Sequence, residues 1–174
     1  MQTFIPISLL LGAFASISQG ASIPTARFQF SVADIADATN KWAADTSKVS
    51  QFLSRAPILL GSDLTTAAQV ALAAEKDELT HKSVLDQQFA ANPSVQSAKN
   101  TLENPNNFQF VVDGLTTLSN GAALSAKQVS DLVDQINLTR CKNVLPAIDR
   151  YFSASSAVLQ NGLSLVANRP NNCP

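Results

Sequence analysis

Between residues 31 and 159 the apolar side chains recur at intervals of three, four and seven, and the strongest turn-formers cluster between the runs. That period belongs to amphipathic helices, each of which must bury one stripe against a neighbour. "FQFVV" at 108–112 is the only strand-like stretch, and no second segment exists to pair with it, so helix is the better reading there too. The pattern predicts an all-α fold, a single-domain bundle of five to six amphipathic helices.

The first stripe holds Val32, Ile35, Trp42, Val49, Phe52 and Leu53, with Asp34, Asp37 and Asp45 assigned to other faces; Pro57 and Gly61 end it. A long second helix takes Leu64, Ala68, Ala71, Leu72, Leu79, Leu85 and Phe89 as its core face. Asn92-Pro93 closes that helix and opens a short third, because proline suits a first helical position and pushes its predecessor out of the helical region. "NPNN" at 104–107 makes the next turn, Asn120-Gly121 ends the fourth helix, and Ser125 with Gln128 forms a capping box for the fifth. Phe110 lies off the fourth stripe. Pro146 is expected to kink or break the chain before a sixth helix, and Gly162 sits where a left-handed cap belongs.

The first 20 residues, MQTFIPISLLLGAFASISQG, read as a signal peptide: a short apolar run followed by Ser18 and Gly20 before a cut at Ala21, with no Lys or Arg in front. The run is well short of the roughly 20 residues needed to span a bilayer, so no transmembrane segment is expected in the mature chain. Residues 21–30 form an N-terminal arm and 31–174 the bundle domain. A secreted, extracellular protein, cell-wall associated in one reading, is the expected localisation.

Secretion gives the two cysteines meaning. Cys141 and Cys173 are expected to form one disulfide tying the C-terminal tail across the outside of the last helices. In the chain-entropy account such a loop constrains the unfolded state by about 3–4 kcal/mol. The only sequon, Asn137-Leu-Thr139, lies one turn before Cys141 and requires an exposed face if a glycan is attached at Asn137.

Chemistry is sparse. Twelve Lys and Arg balance thirteen Asp and Glu with no basic block, which argues against nucleic acid. The single histidine, His81, reads as a surface residue with no triad around it, so no catalytic residue is assigned. Ligand supply gives no metal site: one histidine, two bonded cysteines and no calcium loop. Asp77 with Glu78, and Asp131 with Asp134, read as solvated faces, and "KDEL" at 76–79 is internal and so no retention signal. No cofactor is implied, and the ligand-binding residues are unknown.

The opening "VADIADATNKWAADTSKVSQFL", the Ala/Ser/Thr-rich amphipathic helices and the missing active site together resemble the fungal hydrophobic-surface-binding protein A group, also described as cell wall galactomannoproteins. The resemblance implies a secreted, non-enzymatic binder of lipid or hydrophobic surfaces, with a fatty acid or an apolar surface as its partner. The cysteine pair and "RCKNVLPAIDRYF" do not map onto that group, which keeps open a small secreted effector or inhibitor acting on a host or extracellular protein. Pectin methylesterase and invertase inhibitors are similar bundles, but their N-terminal cysteine hairpin is missing. The small residues at 65–74 further suggest an unevenly filled core near Phe89, Phe108, Phe152 and Leu159, with an apolar gap for an acyl chain.

Overall fold

The computed structural model describes residues 30–160 and 165–174; the expected signal peptide, nearly all of the arm and Gly162 lie outside them. The described chain is all-α, without strands: α1 (Val32–Arg55), α2 (Gly61–Gln88), α3 (Pro93–Glu103), α4 (Phe108–Ser119), α5 (Ala126–Thr139) and α6 (Leu145–Leu159). A 3₁₀ turn, Ala56–Ile58, follows α1, and a π-helical turn, Arg140–Val144, joins α5 to α6. The six helices therefore make five rods, since α5 runs through the π turn into α6.

Local chemistry sets the ends. Ser31 and Asp34 form a capping box on α1, and Ser125 with Gln128 forms the one expected on α5. Asn92 accepts from the backbone N–H groups of Ser94 and Val95 ahead of Pro93, satisfying donors that no preceding turn can reach. Gly61 begins α2 at φ +57°, a left-handed conformation costly for other residues. At the far end, Gln160 takes the left-handed cap two positions before the glycine expected to do so.

Pro146 does not break the rod; the disturbance expected in the turn before it takes the form of the π turn. The proline has no N–H to donate, and its ring would crowd the carbonyl one turn back. The backbone widens instead: Leu145 donates to the carbonyl of Arg140, five residues earlier, and α6 continues.

The α1–α2 pair is the most extensive contact, with α4 against α2, α6 against α3 and α1, and α5 against α4 and the 3₁₀ turn. Trp42 lies at its centre, packed obliquely on Tyr151 at 5.1 Å and edge-on to Phe152 at 5.8 Å between ring centroids. Cys141 and Cys173 are bonded, their Cα atoms 5.8 Å apart. The tail runs between α1 and α6. Ser50 donates to the carbonyl of Asn168 at 2.6 Å, Asn171 N–H donates to Ser54 at 2.9 Å, and Asp149 accepts from Ala167 N–H at 2.7 Å.

Candidate functional site

Leu64, Ala68, Ala71, Leu85 and Phe89 of the expected α2 stripe are buried, and the core face departs from that stripe at two positions. Leu72 is only half-buried and Leu79 is exposed, whereas Leu64, Ala68, Ala71, Glu75, Glu78, Lys82 and Leu85 are buried. Those positions alternate steps of four and three, an unbroken helical register. Three members are charged. Glu78 is therefore not the solvated partner of Asp77, and Asp45 of α1, at 5% exposure, is not on an outer face.

Arg140, at the first position of the π turn, meets this face. Its Nη1 lies 3.6 Å from Glu75 Oε2 and its Nη2 3.5 Å from Glu78 Oε1, and all three side chains have no exposed surface. Nη2 also donates to the carbonyl of Thr46 at 3.4 Å, and Trp42 Nε1 donates to Glu78 Oε2 at 2.8 Å. Two carboxylates thus face one guanidinium. Burial pushes both acids up from the ordinary carboxylate range, Glu78 well above it because the Glu75 charge adds to the desolvation. Holding one proton between them leaves a single neutral ion pair, the charge state that a dry environment favours. The Tyr151 phenol is likewise held un-ionised, first by burial and then by its hydrogen bond to Asp86.

Asn137 is wholly buried, and its amide makes no hydrogen bond with protein atoms. It falls in the inward series Val133, Asn137, Arg140 and Val144, while Asp134 remains exposed. The exposed face expected for the sequon is absent, and in this fold the amide has no surface on which to carry a sugar. Asn137 and Cys141 do not share an outer face: Asn137 lies with Val133 and Ile136 on the inward side of α5, and Cys141 is half-buried.

His81 is also buried rather than superficial. Its Nε2 lies 3.3 Å from Asp45 Oδ2 and 3.6 Å from Asp77 Oδ2. Counting ligands by type along the sequence could not show that two carboxylates from two helices converge on the one histidine. Lys48 donates to the other Asp45 oxygen at 2.7 Å.

Over this seam lie two adjoining surface grooves that share Lys48 and Val70. One, about 680 Å³, is bordered by Asp45, Asp77, Ala73, Ala74, Lys76 and Thr80. The other, about 250 Å³, is walled by Phe52, Leu59, Ala67 and Ala71, with Gln51 and Arg55 at its edge. Small residues on α2 make these hollows. Phe89, Phe108 and Phe152 are buried as expected for core residues, but the apolar grooves lie on the α1–α2 surface rather than beside Pro146.

Sequence signals for the ionic cluster existed in the four-three register from Leu64 to Leu85, but the stronger hydropathy of Leu72 and Leu79 masked them. No helix among the described residues is long and apolar enough to cross a membrane. Comparison with protein-family models, curated proteins and solved structures finds no match to this chain.

Proposed function

We propose that this is a secreted, non-enzymatic binding protein for lipid or hydrophobic surfaces, of the kind its resemblance to the fungal hydrophobic-surface-binding group implies. One observation carries the reading. The apolar groove between α1 and α2 is bordered by exposed Val70, and Ile58 and Leu60, in the turn joining the two helices, stand 83% and 50% exposed. Isolated exposed apolar residues are ordinary; a set of them beside an apolar hollow marks an interaction surface. Arg55, which has no ion-pair partner among the described residues, stands at the edge and suits an anionic headgroup.

The buried acids support the non-enzymatic side. Glu75, Glu78 and Arg140 have no exposed surface, so a substrate cannot touch them while α1 and α2 are closed. Because the groove is open, an acyl chain would keep one side in water and gain less than the roughly 0.8 kcal/mol per methylene of full burial.

Isothermal titration with fatty acids of increasing length tests the reading. Micromolar binding that tightens with chain length, and weakens at least ~10-fold in Val70→Asp, is the expected result. Absence of binding together with failure to adsorb to a hydrophobic surface would discard it in favour of a secreted effector or inhibitor, which would use the same apolar patch against a protein partner.

A further inference from the structure

The convergence of His81 with two carboxylates is independent of the lipid reading. Asp77 and His81 lie one turn apart on α2, so both side chains leave the same face, while Asp45 comes across from α1. One oxygen of each carboxylate and one ring nitrogen lie within 4.8 Å of one another. His81 is 8% exposed, yet its Nε2, aimed between the carboxylates, makes no hydrogen bond of acceptable geometry. Such a buried nitrogen ordinarily has a partner.

We propose that Asp45, Asp77 and His81 form a binding site for a borderline divalent cation of the zinc class, with an open position toward the groove above α2. In a tetrahedral site with bonds of about 2.0–2.2 Å, neighbouring ligand atoms stand roughly 3.3–3.6 Å apart. His81 Nε2 already lies 3.3 Å and 3.6 Å from the two carboxylate oxygens. The remaining edge closes by rotation of Asp77, whose side chain is 58% exposed and free to turn. Asp45, by contrast, is held in place by burial and by Lys48 on its second oxygen. An imidazole with two carboxylates suits zinc, cobalt or nickel, and supplies too few oxygens for calcium. The groove bordered by Asp45, Asp77 and Thr80 gives the ion an entry path and leaves room for a water or an anionic ligand in the fourth position.

The alternative is a contact of His81 with two aspartates that has no affinity for metal. Titrating Zn²⁺ into tag-free protein distinguishes the two, because His81 is the only histidine and both cysteines are bonded. The expected result is one equivalent bound, a melting temperature raised by Zn²⁺ and unchanged by Mg²⁺, and intense visible absorption from Co²⁺ in a tetrahedral field. Loss of partners outside the ligand shell already weakens metal sites 10–100-fold, so Asp77→Asn and His81→Gln should each weaken Zn²⁺ by about 100-fold or more. Asp77 is exposed, so its variant keeps the fold. Absence of stoichiometric Zn²⁺ binding, or binding that survives Asp77→Asn unchanged, overturns the proposal.

Discussion

Two parts of the interior are equally dry and chemically opposite. Where α4 meets α5, Leu115, Leu118, Val129, Val133 and Ile136 are fully buried, and Gly114 admits Ile136 so closely that an added Cβ would lie 2.7 Å from its Cδ1. Where α1 and α2 meet the π turn, Trp42, Glu75, Glu78, Asn137 and Arg140 are just as inaccessible. The first region is stabilised in proportion to the apolar area that leaves water. The second loses the hydration of three ionisable groups and recovers it only if their charges match. Equal burial therefore conceals different sensitivities: shape in one region, charge balance in the other.

Removing the charge match should have the largest effect. Arg140→Met leaves two acids buried without a cation and should lower stability at neutral pH by about 3–5 kcal/mol, measured by urea unfolding. Leu115→Ala provides the apolar counterpart, with an expected loss of about 2–5 kcal/mol. Similar losses from the two would be informative only when their pH dependence is compared.

Reduction of the Cys141–Cys173 bond, which closes a sequence separation of 32 residues, should cost about 3–4 kcal/mol. The apolar α4–α5 region carries no covalent tie and should keep its helices, so far-ultraviolet circular dichroism should be nearly unchanged while the melting temperature falls. Collapse of helicity on reduction would mean that the tail, and not the apolar core, holds the bundle together.

A smaller effect is expected from Glu78→Gln, which keeps the shape and an acceptor for Trp42. The folded-state pKa of Glu78 is raised, so its contribution is fully present below the unfolded value near 4.5 and is lost as pH rises toward the folded value. The variant should therefore flatten the decline in stability above that pH and melt at a higher temperature than the parent at pH 7, with the difference vanishing toward pH 4. An unchanged pH profile would show that Glu78 does not hold the proton.

The same contrast explains how far the sequence could be read. Ser125 with Gln128, Asn92 with Pro93, and the stripe of Val111, Leu115 and Leu118 combine local capping chemistry with apolar periodicity, and they appear in the structure where those signals place them. The α1–α2 seam is written in residues that usually face water. A charged side chain in a core register becomes visible only when its partner is known, and Arg140 lies 62 positions beyond Glu78, across three turns of the chain. Asn137 was hidden for the same reason: the sequon pattern points outward, whereas the series from Val133 to Val144 points in. The pairing of Asp45 with His81 depends on how two helices pack, which no local pattern encodes.

The central claim is that the seam is held by matched charge rather than by shape, and the most direct measurement is the stability of Arg140→Met and Leu115→Ala relative to the parent protein across pH 4 to 8. Without the guanidinium, Glu75 and Glu78 bind protons more tightly in the folded state, so the Arg140→Met deficit should grow steadily as pH rises and shrink toward pH 4. The Leu115→Ala deficit should stay parallel to the parent throughout. An Arg140→Met deficit that is constant with pH would contradict the account, because it would mean that Arg140 fills space and that its charge is not what the buried acids require.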